Sequence, residues 1–139
     1  ENLQGAGEMT LKDVRDYVAS LGIADRVYMG MLQNKPDRAI GVYNDRQQHP
    51  YRVPIGGLEL ESYGTKYATL LVHWNQSPGE TEEAAQKLFK ALCETWDTAV
   101  NNKKIKWIQP LYEPQDVGPD EAGIFEMVIE VAVIFEKRG

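Results

Sequence analysis

Side chains that could perform nucleophilic or acid–base chemistry are few in this sequence. The histidines are His49, in a polar stretch beside a proline, and His73, inside an apolar run, and the single cysteine is Cys93. Cys93 falls on the apolar stripe of a helical pattern, where a small core residue is expected rather than a nucleophile. His73 is expected to be a core or edge histidine with a hydrogen-bond partner. We therefore predict no catalytic residues.

Three glutamates offer a second kind of chemistry. Glu126, Glu130 and Glu136 share one face of a predicted strand, and paired carboxylates can supply general acid–base catalysis. On an exposed strand face, solvated charge is the expected role, so a hydrolase or transferase ranks last among the functions considered. Such an enzyme would need Glu126 and Glu130 in a closed pocket.

The residue types for a metal or phosphate site are present only in fragments. One cysteine and two histidines do not make a zinc site. Gly56-Gly57 is not followed by the lysine or helix that a phosphate cradle requires. Four acidic residues could meet a calcium ion but lack the EF-hand pattern, and a solvated acidic loop is expected: Glu113, Asp116, Asp120 and Glu121. We predict no metal, no cofactor and no small-molecule substrate.

The charge balance limits the partners. Fifteen basic and twenty-one acidic residues give a net charge of −6, which argues against wrapping a nucleic acid. Basic residues gather in three places that could touch phosphates: Lys35 and Arg38; Arg46 and Arg52; Lys103, Lys104 and Lys106. Ordinary solubility charge is the favoured interpretation of all three. A small cytosolic nucleic-acid-binding or regulatory module remains the alternative function.

Composition predicts a soluble globular protein. Of 139 residues, 42% are hydrophobic and 26% are charged, and no apolar run approaches the roughly 20 residues of a membrane helix. One cysteine excludes an internal disulfide and suits a reducing cytosol. Residues 1–7 resemble the scar of a tag-protease site, and residues 8–139 are expected to form a single domain.

Two amphipathic helices are predicted. The first spans residues 10–21, with Thr10 and Asp13 as an acidic variant of the capping box and Gly22 ending it in a left-handed conformation. The second begins at Ser77 as N-cap, with Pro78 in the first helical position, although Thr81 could be the cap instead. Its apolar face is expected to cover the sheet: Ala84, Ala85, Leu88, Phe89, Leu92, Cys93 and Trp96.

Strands and loops fill the rest of the chain. Runs of β-forming residues at 26–32 and 39–43 predict a hairpin joined by a turn at 33–38. Residues 67–74 are apolar on both faces, which predicts a strand in the sheet interior. The strand at 103–111 should carry Ile105 and Trp107 on one face. The remaining ranges are a long loop at 44–57, which is either a candidate contact surface or a disordered excursion, a short edge strand at 58–63 and a second long acidic loop at 112–123.

The last strand is expected to organise the fold. Between residues 124 and 137, every second position is a large apolar residue, a period of two that indicates one strand with one buried face. These positions are Phe125, Met127, Ile129, Val131, Val133 and Phe135. The order of elements predicts the α+β class, with an antiparallel or mixed sheet of about five strands and two helices packed on one face.

Five segments, taken in order, resemble a minor capsid protein of bacteriophages and prophages: Ile40-Gly41-Val42-Tyr43-Asn44, Ile55-Gly56-Gly57-Leu58, Leu70-Leu71-Val72-His73-Trp74, Glu82-Glu83-Ala84-Ala85 and Glu113-Pro114-Gln115-Asp116-Val117-Gly118. The resemblance spans most of residues 9–138. Members of that group are similar to the tail-terminator and tail-completion proteins of long-tailed phages, which are small α+β domains without catalytic residues.

The resemblance implies a structural virion protein that acts in head–tail joining or tail completion and is assembled in the bacterial host cytoplasm. It also implies a ring of six subunits that contacts the head connector and the tail tube. Ring formation uses heterologous interfaces, in which one patch on each copy meets a different patch on its neighbour. An acidic inner wall would let DNA pass without specific binding.

Overall fold

The computed structural model describes residues 8–30, 36–45 and 63–137. Two helices, α1 (Leu11–Ser20) and α2 (Pro78–Cys93), accompany seven strands. The strands are β1 (Arg26–Met29), β2 (Ala39–Asn44), β3 (Tyr63–His73), β4 (Trp96–Val100), β5 (Lys103–Pro110), β6 (Gln115–Pro119) and β7 (Phe125–Glu136). The predicted α+β class is confirmed, and the sheet has more strands than the five or so expected.

Several predictions fall outside these ranges. They are the tag scar at 1–7, most of the loop at 44–57, nearly all of the edge strand at 58–63 and part of the turn at 33–38. Tyr63, the last residue of that predicted edge strand, begins β3. Among individual residues, Lys35, Arg46, His49, Arg52 and the Gly56-Gly57 pair also lie outside the described part of the chain.

β7 lies at the centre of the mixed sheet. The strand order is β1-β2-β3-β7-β5-β4, and β6 pairs with β7 beyond the end of β5. β3 runs antiparallel to β7 along nearly its whole length, from Tyr63 opposite Glu136 to His73 opposite Glu126. The predicted period of two is confirmed, because Met127, Ile129 and every second residue to Phe135 are buried.

Both helices pack on the same face of the sheet, as predicted. Val14 and Val18 of α1 and Leu88 and Leu92 of α2 belong to one core cluster with the buried row of β7. The remaining strands contribute apolar residues to the same cluster, including Ile40, Val42, Leu70, Val72, Ile105 and Ile108. Each large apolar side chain contributes about 1.5–3 kcal/mol of free energy when fully buried, so this layer is the main source of stability.

The helix starts follow their sequence signals. Thr10 Oγ1 accepts from the Asp13 amide at 3.2 Å while Asp13 Oδ2 accepts from the Thr10 amide at 2.9 Å, so the predicted capping box is present. Gly22 adopts a left-handed φ of 70° after the helix end. Ser77, not Thr81, caps α2 by accepting from the Glu80 backbone amide at 3.2 Å, and the Glu80 carboxylate accepts from the side-chain amide of Asn75.

The predicted hairpin between residues 26–32 and 39–43 is wrong. β1 and β2 are neighbours, but they run parallel, with Arg26 opposite Ala39 and Met29 opposite Val42. A hairpin turn reverses the chain, whereas parallel strands need a connection that returns along the strand. The alternation of apolar residues predicts which side chains of a strand share a face of the sheet. It does not predict whether the neighbouring strand runs parallel or antiparallel.

The predicted apolar face of α2 is wrong at its last two positions, Cys93 and Trp96. The helix ends at Cys93, which is exposed rather than packed on the core. Thr95 Oγ1 donates to the Ala91 carbonyl at 2.9 Å, and the chain then starts β4 at Trp96, whose exposed fraction is 68%. The helical spacing of Trp96 was a coincidence, because the next residue, Asp97, takes a left-handed φ of 55° that no helix allows.

Two further corrections concern β5 and β6. A bulge at Lys106 turns Trp107 to the face opposite Ile105, since Ile105 pairs with Phe135 and Trp107 with its chain neighbour Ile134. The acidic stretch at 112–123, predicted as a loop, contains β6, and a second bulge near Gly118 accommodates its φ of 90°. No helix in the described residues is long and apolar enough to cross a membrane.

Candidate assembly surface and a buried histidine cluster

The sheet face turned away from both helices carries apolar side chains interspersed with glutamates. We call it the helix-free face; its central row is the second row of β7, with Val128, Ala132 and Ile134 between glutamates. Across the strands, Val128 faces Leu71, Ala132 faces Tyr67, and Ile134 faces Trp107. Most of these side chains are half-buried, with neither described helix on them. An apolar face of this kind is typical of a protein contact surface.

Large exposed apolar side chains mark the two ends of the sheet. Met29 on β1 is 53% exposed and Trp96 on β4 is 68% exposed. β1 and β4 are the end strands of the described sheet. Two more large apolar residues are exposed in the described ranges, Tyr112 just before β6 and Val117 within it. The two ends therefore present different apolar side chains.

Trp96 is held in place although it is exposed. Its ring stacks on that of Trp107, with centroids 6.0 Å apart and planes 22° from parallel. Beside the pair, the Asp97 carboxylate lies 3.2 Å from Lys106 Nζ and 3.4 Å from Lys104 Nζ. The hydrogen bond from Lys106 and then that from Lys104 lower the pKa of Asp97, and the same contact raises the pKa of Lys106. The aromatic pair thus borders a patch in which two lysines share one carboxylate.

A buried histidine cluster lies at the carboxy-terminal end of β3. It consists of His73, Asp120 and Glu126, and we call it the His73 cluster. His73 is fully buried, and its Nδ1 donates to Glu126 Oε2 at 2.8 Å. Asp120 Oδ2 lies 3.8 Å from the same nitrogen. The prediction that His73 is a core histidine with a hydrogen-bond partner is confirmed, and the solvated role expected of Glu126 is wrong, because its side chain is 14% exposed.

Asp120 is oriented by its own turn. Its Oδ1 accepts from the amides of Ala122 and Ile124 at 2.8 and 2.9 Å, which directs Oδ2 towards His73. Of the four acidic residues considered for calcium, Asp120 alone belongs to a described group of three potential ligands. Sequence spacing did not suggest the cluster, since only the antiparallel register of β3 and β7 brings His73 opposite Glu126.

The comparison with protein families decides the identity. A family model described as bacteriophage tail terminator protein matches residues 3–137, nearly the whole chain. The chain belongs to the bacteriophage tail terminator family. This confirms the resemblance drawn from the sequence. No curated protein matches the chain. Tail terminators are structural, non-enzymatic virion components, so the protein has a structural role in tail completion, and membership of the family implies interaction with other virion proteins.

The geometry of this tail terminator separates the glutamates that an enzyme would combine. Glu126 is bonded to His73, whereas Glu130 lines a depression with Tyr112, Gln115 and Val128. Glu130 Oε1 is buried and has no hydrogen-bond partner in the described part of the chain. The two carboxylates therefore have different surroundings instead of the shared pocket that acid–base catalysis requires.

The basic residues of the third group are paired within the tail terminator itself. Lys103 Nζ donates to Asp13 Oδ2 at 2.7 Å and to the Glu8 carbonyl at 2.8 Å. Lys104 and Lys106 share Asp97. A lysine that is already paired must give up that contact before it can bind a phosphate, so this group does not favour the nucleic-acid-binding alternative.

Proposed function

We propose that this protein completes the phage tail by forming a ring between the head connector and the tail tube. Six copies are the number that the family resemblance implies, and assembly takes place in the cytoplasm of the bacterial host. The role is that of a minor capsid and head–tail joining protein, of phage or prophage origin, which requires neither catalysis nor a small-molecule substrate nor a membrane. The proposal is supported by family membership together with the two dissimilar ends of the sheet.

The observation that carries the ring is the placement of Met29 and Trp96. They lie on opposite end strands of the described sheet, and both are more than half exposed. A contact between the β4 end of one copy and the β1 end of the next joins two different patches, which is a heterologous interface. Such a contact repeats around a ring until the rotation closes. A stable interface buries about 800 Å² per partner, so the helix-free face beside Trp107 would have to contribute as well.

The charge of the chain fits a channel that DNA traverses. With a net charge of −6, a ring of several copies would carry a large negative charge. Like charges repel across a short gap that is only partly screened by salt, so DNA would pass without adhering. The internal pairing of Lys103, Lys104 and Lys106 is consistent with this arrangement.

The test uses two charge substitutions at opposite ends of the sheet. Trp96→Glu and Met29→Glu should each abolish the ring, because a carboxylate would be buried against an apolar patch of the neighbour. Val117→Glu is the matched control, since Val117 is 54% exposed but lies on β6, off both end strands. Mass photometry and sedimentation of the isolated chain, and of the chain mixed with tail tubes, give the size of the assembly.

A mixture of the two variants discriminates between interface types. The Met29→Glu copy keeps an intact β4 end, and the Trp96→Glu copy keeps an intact β1 end, so a mixture should form dimers but no ring. A symmetric contact between two β4 ends would respond to Trp96→Glu alone. A wild-type chain that stays monomeric at all concentrations and on tail tubes would refute the ring.

A further inference from the structure

We infer that the His73 cluster is a binding site for a divalent transition-metal cation of the zinc type. Its ligand atoms come from three parts of the fold: the last residue of β3, the turn after β6 and the second residue of β7. His73 Nδ1 and one oxygen each from Asp120 and Glu126 all lie within 4.8 Å of one another. The inference is independent of ring formation.

The distances suit a small cation. Zinc binds nitrogen and carboxylate oxygen at about 2.0–2.2 Å, which places tetrahedral ligand atoms about 3.3 Å apart. The two separations from His73 Nδ1, 2.8 Å to Glu126 Oε2 and 3.8 Å to Asp120 Oδ2, lie on either side of that value. Small side-chain shifts would complete three protein ligands. Water would occupy the remaining position, since both carboxylates are slightly exposed.

Two acidic groups converge on one nitrogen that can donate one hydrogen. The Nδ1 nitrogen lies 2.8 Å from Glu126 Oε2 and 3.8 Å from Asp120 Oδ2. Two neighbouring carboxylates repel each other, and a divalent cation bound between them offsets that repulsion. When the cation binds, it takes the place of the Nδ1 hydrogen. From a charged imidazole that hydrogen leaves to solvent, and in a neutral imidazole the ring carries its hydrogen on Nε2 instead.

The surroundings of the ligands are rigid, as a metal site requires. Two backbone amides orient the Asp120 carboxylate, which is how outer-shell groups commonly orient metal ligands. The strand pairing of β3 fixes His73 between Ala39 and Glu126. An imidazole ligand favours Zn²⁺ over Mg²⁺, which prefers oxygen ligands and retains its water.

The test measures zinc binding to the full chain in a Cys93→Ser background, because the exposed thiol of Cys93 could bind zinc by itself. After chelator treatment, calorimetry should find one high-affinity Zn²⁺ per chain. Saturating Zn²⁺ should raise the melting temperature by about 5 °C or more, and Mg²⁺ should not. Zn²⁺ should also slow hydrogen exchange of the Ala122 and Ile124 amides.

Three substitutions of equal size locate the site. Asp120→Asn and Glu126→Gln should each weaken zinc binding at least about tenfold, while Asp116→Asn on β6 should bind like the parent. An asparagine at 120 can still accept the two turn amides, so the fold of the turn is kept. Equal zinc affinity in all three variants, or no saturable site in the parent, would overturn the inference. These readouts do not depend on whether the chain forms a ring.

Discussion

Asp13 and Lys103 form an ion pair that links the start of α1 to the start of β5. Lys103 Nζ lies 2.7 Å from Asp13 Oδ2, and the two side chains are only 13% and 6% exposed. Asp13 Oδ1 also accepts from Asn101, and its Oδ2 accepts from the Thr10 amide within the capping box. One carboxylate therefore caps a helix and ties it to the β4–β5 connection.

Asp13→Ala should lower the free energy of unfolding by about 3–5 kcal/mol, because it leaves the poorly solvated Lys103 ammonium without a carboxylate partner and removes one half of the capping box. The exposed pair of Lys90 and Glu94, 4.0 Å apart, supplies the control. Lys90→Ala should change stability by no more than about 1 kcal/mol. Urea unfolding of both variants gives the comparison, and similar losses would show that the Asp13 pair has no special role.

The same carboxylate should make stability depend on pH. Burial alone would raise the pKa of Asp13, but hydrogen bonds from Lys103, from the Thr10 amide and from Asn101 outweigh it, so the pKa lies below its usual value. Hydrogen bonds from Lys12, Asn101 and Arg15 lower the pKa of Asp16 strongly. A group with a depressed folded pKa stabilises the protein above its unfolded pKa, about 3.9, and this contribution is lost as the pH falls through the folded pKa.

We therefore expect stability to fall between about pH 5 and pH 2, and Asp13→Asn to show a smaller fall than the wild type. The control is Gly79→Ala in the first turn of α2. This substitution changes no charge, so it should leave the pH dependence of the free energy of unfolding unaltered. Denaturant unfolding at several pH values measures both. A dependence in Asp13→Asn as steep as in the wild type would place the responsible carboxylates elsewhere.

Gly64 should be intolerant of any side chain. A Cβ atom there would lie 2.6 Å from Phe135 Cζ and 3.0 Å from Cε1, and Phe135 is 1% exposed and cannot swing into solvent. Gly64→Ala should cost about 1–3 kcal/mol through overpacking.

Gly79 supplies the matched control for Gly64. It lies in the first turn of α2, where a Cβ would come no closer than 4.0 Å to Ser77 Oγ. Gly79→Ala should be neutral or stabilise the protein by up to about 1 kcal/mol. Thermal or denaturant unfolding of both variants checks the pair, and a neutral Gly64→Ala would mean that Phe135 has room to move.

The parts of the fold that sequence reasoning predicted correctly depend on local signals. Thr10 and Ser77 cap helices through bonds to residues three positions away, and the alternation in β7 is contained in one continuous strand. The parallel pairing of β1 with β2 is not local, and neither is the face on which Trp107 lies, which depends on a bulge relative to β7. Single-sequence patterns contain no information on such pairings.

The same limit explains the candidate sites. His73 was correctly expected to be buried and partnered, because its neighbours in the strand are apolar, but neither Glu126 nor Asp120 could be named as the partner without the register of β3 and β7. The exposure of Trp96 was missed because its spacing continued the helical period of α2. Features that combine distant segments thus had to come from the structure.

The two faces of β7 should respond differently to the same substitution. Ile129 is fully buried against the helices, whereas Ile134 is half-buried on the helix-free face opposite Trp107. Ile129→Ala should lower the free energy of unfolding by about 2–5 kcal/mol, because it leaves a cavity in the core. Ile134→Ala should cost less, about 1 kcal/mol, since part of that side chain is already in contact with solvent.

The comparison of these two variants also tests the proposed use of the helix-free face. If copies of the chain meet beside Trp107, Ile134→Ala should weaken assembly by more than its small effect on folding explains, while Ile129→Ala should reduce assembly only in proportion to the unfolded fraction. Unfolding and sedimentation measured on the same samples separate the two effects. Equal losses of folding stability at both positions would mean that something besides solvent covers the helix-free face in the isolated chain.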